Sequence, residues 1–335
     1  MTLRRTPFPD RFAVLSSDTY RFGDKVPDGC RFKVVGRTRL PNGVEVLAIN
    51  VGLLAFDFSG EPELGGIIKV HFDGSGLVPE EVMESTKHIL RVQGARMRLA
   101  TFVTACVYGT HAYLRASSID DALFPGLHET FDWVSRGPGS FGVPAHATNA
   151  LVSRIIGRTG RRLFICAADV IAGFNLASRL ISARGSYHVA DPISLIVMTY
   201  QAMILHNRQH AGASVALQAV VAESALEELL YACGLVNGVP ARFSHQVPVK
   251  PVSPSKARSM KLKARIECLS DAGVLSPYLA QRLHSLRSAR NVLMHEGYDA
   301  TPQQSGEGLT AIRDLLHQCT DERRFELNMT WSYKI

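Results

Sequence analysis

Six cysteines in 335 residues (Cys30, Cys106, Cys166, Cys233, Cys268 and Cys319) include no Cys-x-x-Cys pair, and no histidine stands at metal-ligand spacing from them. Neither a zinc site nor a disulfide framework is indicated, and a reducing cytoplasm is the expected compartment. Long hydrophobic runs are also missing. The start, Met1-Thr2-Leu3-Arg4-Arg5-Thr6-Pro7, lacks the apolar stretch of a signal peptide. The longest apolar segment, about Pro192 to Leu205, is too short to span a bilayer and is interrupted by Thr199 and Gln201. No membrane partner is expected. The glycine-rich run Arg136 to Pro144 is not followed by Gly-Lys-Ser/Thr and reads as a linker rather than a phosphate loop. Serines such as Ser140 lack the Gly-x-Ser-x-Gly setting of a hydrolase nucleophile. His71, His88, His111, His128 and His146 are dispersed without a second ligand nearby, so they read as structural or exposed. No metal or cofactor is expected, and no internal repeat is present.

With 46% hydrophobic and 20% charged residues, the chain is long enough to bury a sizeable core in two or three domains. Its formal charge of +7 is unevenly placed. Lys/Arg and Asp/Glu balance over residues 1–150, so the whole basic excess falls in 151–335. A polyanionic partner fits this, because basic surface attracts nucleic acid through its backbone without reading sequence.

The first third carries short segments rich in Val, Ile, Phe and Thr: Arg31 to Thr38, Val44 to Asn50, Gly66 to Phe72, Met97 to Tyr108 and His111 to Ala116. They predict a mainly antiparallel, barrel-like β domain over 1–135, interrupted by one amphipathic helix at about Pro79 to Val92. Residues 136–189 read as a linker and two connecting helices, about Ala145 to Arg158 and Arg161 to Ala183, which either extend the helical half or join it to the β domain. Between Leu235 and Met260, Pro240, Pro248, Pro251 and Pro254 predict a long loop. From Arg242 to Arg265 this region carries only basic charges, among them Arg258, Lys261, Lys263 and Arg265. It reads equally as a phosphate-binding segment or a solvated linker.

The densest chemical cluster lies on a later helix. Leu279, Leu286, Ala289 and Leu293 fall within about 40° of one direction at roughly 100° per residue, which predicts a buried face. His284, Arg287, Ser288, Asn291 and His295 line the opposite side, with Arg290 on the flank. Gly297 suits the left-handed end of this helix, which puts His295 in its last turn. The dipole's negative end there favours imidazolium. Upstream, Glu223 and Glu227 are an i,i+4 acidic pair, either bracing Arg290 or Arg287 or forming a solvated face.

Leu286-Arg287-Ser288-Ala289-Arg290-Asn291 through His295-Glu296-Gly297 resembles the motif of the HEPN superfamily of all-helical ribonucleases: Arg, a polar residue, a few more residues, then His. Ala216 to Leu230, with its Ser-Ala-Leu-Glu and paired leucines, resembles the earlier HEPN helix, and Tyr200 to Gly212 the helix and glycine turn before it. Leu262 to Leu269, Ala272-Gly273 and Leu275-Ser276 read as a short helix, a turn and the start of the motif helix. The resemblance covers about 190 to 322, leaving 323–335 as a tail.

The resemblance implies an α+β chain, with a β-rich N-terminal sensor or partner-binding domain followed by an all-α HEPN bundle. It implies a metal-independent endoribonuclease, active as a homodimer or higher oligomer with two motif helices facing each other, of the toxin or antiviral-defence type. Arg290 stabilises charge on the phosphate, Asn291 positions, and His295 moves the proton. Arg287, Glu223 and Glu227 are supporting residues, and Arg258, Lys261, Lys263 and Arg265 hold RNA. Some HEPN toxins have a tyrosine two residues after the histidine, where a nucleotidyltransferase modifies it; here Gly297 stands there and Tyr298 follows. The alternative is a HEPN module without nuclease activity, serving as a dimerisation or RNA-binding adaptor in a larger complex.

Overall fold

The structure, a computed structural model, describes residues 11–15, 20–22, 34–50, 52–63, 80–108, 122–123, 163–182, 191–237 and 250–320. The architecture is α+β. Contacts divide the chain into two compact units, one formed by Met1–Val107 with Tyr113–Ile181 and the other by Tyr108–Ala112 with Ser182–Ile335.

The first unit contains strands β1 (Arg11–Leu15), β2 (Tyr20–Phe22), β3 (Val34–Arg39), β4 (Glu45–Ile49) and β5 (Leu53–Asp57), then helix α1 (Glu80–Tyr108), β6 (Ala122–Leu123), β7 (Leu163–Ile165) and helix α2 (Ala167–Ser182). A sheet of order β3-β4-β5-β1-β6 is antiparallel throughout, and β2 pairs with β7 in parallel. Val46 to Ile49 and Leu54 to Phe56 are buried at successive positions, so both faces of β4 and β5 are covered and their alternation is lost. The expected strands near 34 and 45 are present. Gly66 to Phe72 and His111 to Ala116 lie outside the described residues, as do Arg136 to Pro144 and Ala145 to Arg158. Among the described residues the sheet has edges at β3 and β6 and does not close into a barrel.

Met97 to Tyr108, expected as a strand, is the second half of α1. Its Val and Thr content reads as β from propensity alone, yet Ala100, Phe102 and Val103 are all buried, which removes the polar side a helical period needs. Thr101 and Thr104 return their hydroxyls to Met97 O at 2.8 Å and Ala100 O at 2.7 Å, so both polar groups are satisfied inside the helix. The segment expected as one helix from Arg161 to Ala183 divides into β7 and α2, which belong to the first unit.

The second unit is helical: α3 (Pro192–Asn207), α4 (Ala211–Ala232), α5 (Pro254–Ser259), α6 (Leu262–Asp271), α7 (Pro277–Glu296) and α8 (Pro302–Thr320). Helix α4 lies at its centre and packs on α3, α6, α7 and α8. Its apolar residues recur all round rather than in a stripe, as in a helix enclosed by others. The sharp turn between α3 and α4 is made by Gln209 at φ 64°, not by Gly212, which lies in the first turn of α4. No helix among the described residues is long and apolar enough to cross a membrane.

Candidate functional site

Helix α7 starts where the sequence places it. Ser276 is extended (φ −65°, ψ 150°) and accepts from Leu279 N at 3.2 Å, with Pro277 supplying the pre-set first helical residue. It ends at Gly297, whose φ of 72° is the left-handed conformation that costs an L side chain energy. Between these ends Leu279, Ala280, Leu283, Leu286 and Ala289 are buried, while Leu293 is only half-buried. Burial of this face orients the helix and thereby directs the polar face outward.

The last two turns carry the motif. Arg290 and Asn291 are half-buried and His295 is exposed. Arg290 Nη1 donates to Asn291 Oδ1 at 3.3 Å, which restrains the guanidinium and leaves the amide N–H groups to a further acceptor. Asn291 and His295, four residues apart, are neighbours on one face. Arg287 lies one turn earlier, half-buried; its Nε is buried and makes no hydrogen bond among the described residues. Neither Arg287 nor Arg290 forms an ion pair among the described residues, in contrast to Arg265 and Arg282. Two arginines without carboxylate partners, beside an exposed histidine, make a face suited to an anion and a proton.

The acidic pair lies elsewhere. The Glu227 carboxylate meets Arg265 Nη2 at 2.8 Å, and Glu223 offers Arg265 its backbone carbonyl. Neither is paired with Arg287 or Arg290 among the described residues, so their expected bracing role is replaced by one around Arg265.

Arg265 itself departs from the expected RNA-binding group. It is 6% exposed, and Nη2 also reaches Ala257 O and Arg258 O, each at 3.4 Å, so one guanidinium joins α4, α5 and α6. A signal for this was present in the sequence, because Leu262, Arg265, Ile266 and Leu269 share the apolar period of α6 and the arginine therefore falls on its buried face. The other three basic residues, Arg258, Lys261 and Lys263, are exposed, as are Lys250 and Lys256. Lys256, Arg258, Lys261 and Lys263 stand on the short helices α5 and α6 and their junction rather than on a continuous loop. Lys263 makes only a loose exposed pair with Glu267 at 3.6 Å.

A second polar group escaped the sequence reading. His206 on α3, Ser214 and Gln218 on α4 and Ser305 on α8 form a buried network. His206 Nδ1 and Ser305 Oγ are 2.8 Å apart, Gln218 Nε2 donates to Ser214 Oγ at 2.8 Å and to Ser305 O at 3.0 Å, and Ser214 Oγ donates to Ala202 O at 2.7 Å. Burial pushes the His206 imidazole down from 6.5 to about 4, so it is neutral near pH 7. The available signal was a glutamine inside an otherwise apolar stretch of α4.

Residues 246–328, spanning α5 to α8, match a family described as a domain of unknown function, DUF4145. No curated protein and no solved structure matches the chain.

Proposed function

We propose that the chain is a metal-independent endoribonuclease of the HEPN type, with its site on the polar face of α7. One observation carries the reading: Arg290, held by Asn291 at 3.3 Å, stands with Arg287 free of carboxylate partners among the described residues, and Asn291 lies one turn before an exposed His295. In this reading the RNA 2′-hydroxyl attacks the adjacent phosphorus while an imidazole takes its proton. The P–O2′ bond forms, the P–O5′ bond breaks, and an imidazolium returns a proton to the departing 5′-oxygen. Each chain carries one such histidine, so a homodimer with facing α7 helices supplies base and acid together. Arg290 balances charge on the phosphate oxygens, and Asn291 orients phosphate or imidazole.

The exposed Lys256, Arg258, Lys261 and Lys263 support an RNA partner by attracting its backbone. The first unit, with its sheet and helices α1 and α2, then serves as a sensor or partner-binding part that restrains the nuclease in the cytoplasm, as in a toxin or antiviral effector. The same lysines support a second reading, a HEPN adaptor that grips RNA without cutting it.

The test is incubation of wild type, Arg290→Ala and His295→Ala with total RNA and a tRNA pool in EDTA, followed by end-group analysis. Cleavage by wild type alone, leaving cyclic or 3′-phosphate ends, supports the nuclease; RNA binding by all three without cleavage favours the adaptor.

A further inference from the structure

A groove of about 820 Å³ runs between α7 and α8, and neither Arg287 nor Asn291 lines it. Tyr278, Ser285 and Ser288 line it on one side, and Gln303, Glu307 and Thr310 on the other. Tyr278 is 67% exposed, and the Arg282 guanidinium stands 5.3 Å from its ring centroid. That arginine is committed within the fold: Nη1 donates to Asp314 Oδ2 at 3.0 Å and Nη2 to Glu307 O at 3.1 Å. The other charge in the lining is the Glu307 carboxylate, so the groove does not favour a phosphate.

Its polar atoms include several acceptors. Ser285 donates its hydroxyl to Gln281 O at 3.2 Å and Thr310 to Gly306 O at 3.0 Å, so both oxygens keep acceptor capacity. Gln303 Nε2 donates to Glu307 Oε1 at 2.9 Å, leaving the other carboxylate oxygen for an incoming donor. An exposed ring beside acceptors and a carboxylate suits a flat ligand that carries amino groups.

We propose that this groove is a nucleobase subsite, in which Tyr278 stacks on a base and the remaining carboxylate oxygen of Glu307 accepts a hydrogen bond from its exocyclic amino group. The inference rests on the RNA reading and adds a substrate preference to it. Adenine and cytosine carry such an amino group and uracil does not. Ser288 in the groove and His295 are seven residues apart, about 10 Å along the helix axis, so a short stretch of strand links the groove to the motif.

The experiment uses the full chain carrying His295→Ala to prevent cleavage, and reads fluorescence anisotropy with oligoadenylate, oligocytidylate, oligouridylate and an abasic strand of equal length. Adenylate and cytidylate are expected to bind roughly tenfold more tightly than uridylate and the abasic strand. Adding Tyr278→Ala is expected to remove at least about fivefold of the adenylate and cytidylate affinity and leave the abasic strand unchanged, and Tyr278→Phe to restore it. Equal binding of all four strands with no effect of Tyr278→Ala overturns the subsite and leaves the RNA reading standing. Absence of binding to every strand overturns both.

Discussion

The guanidinium of Arg265 and the carboxylate of Glu227 meet at 2.8 Å inside the helical unit, with side-chain exposures of only 7% and 17%. Together with the carbonyls of Glu223, Ala257 and Arg258, this pair attaches α5 and α6 to the central helix α4. Two residues with the composition of a functional site therefore serve the fold.

Removing one member of that pair leaves the other charge poorly compensated in a largely dry place. Arg265→Ala is expected to destabilise the helical unit by about 3–5 kcal/mol, and Glu227→Ala by somewhat less. The double variant is expected to be less destabilised than the sum of the singles. Urea titration of all four proteins checks this, and additive losses would mean that the pair is not coupled.

His206 makes the stability of the helical unit pH-dependent. Its imidazole is held near 4 in the fold and returns to about 6.5 on unfolding, so between these values the unfolded chain binds a proton that the folded chain does not. Stability is thus expected to fall as pH drops from 6.5 to 4, by on the order of 2–3 kcal/mol from this group, and to be indifferent to it above 7. Thermal unfolding of wild type and His206→Asn across this range should show a shallower acid decline in the variant; parallel curves would remove His206 as the source.

Gly308, one turn after Ser305 on α8, faces Gln218 of the buried network. A Cβ there would stand 2.1 Å from Gln218 Oε1 and 3.0 Å from Leu286 Cδ1. Gln218 is held by Ser214 and Ser305 and cannot swing aside without losing those bonds. Gly308→Ala is expected to cost about 1–3 kcal/mol despite the better helix propensity of alanine. A stability equal to or above wild type would show that the network yields freely.

Lys261 and Lys263 are exposed where Arg265 is not. Neutralising both is expected to weaken RNA binding and to lower the slope of log affinity against log salt by roughly one to two, with no loss of thermal stability. Unchanged affinity would exclude α6 from the RNA-binding surface.

Helix α7 was legible in the sequence, because its signals are local. Ser276-Pro277 and Gly297 mark the ends of α7, and a 3.6-residue apolar period runs between them, so the exposed side of Asn291 and His295 followed from chain order alone. The first unit was harder to read. Strands near 34 and 45 are bounded by turn residues, whereas the second half of α1 is buried and has the composition of a strand.

The sequence by itself determined that one helix near the end presents Arg287, Asn291 and His295 on a common face with Arg290 on its flank, since helical periodicity depends only on spacing along the chain. Tertiary packing decided which charges remain available. Arg265 and Glu227 are separated by a long stretch of chain and become partners only when α6 lies on α4, while the same packing leaves Arg287 and Arg290 without carboxylates among the described residues. The physical reason is that a charge taken from water needs an opposite charge or carbonyl dipoles within a few ångströms, and only the assembled helices determine which groups come that close.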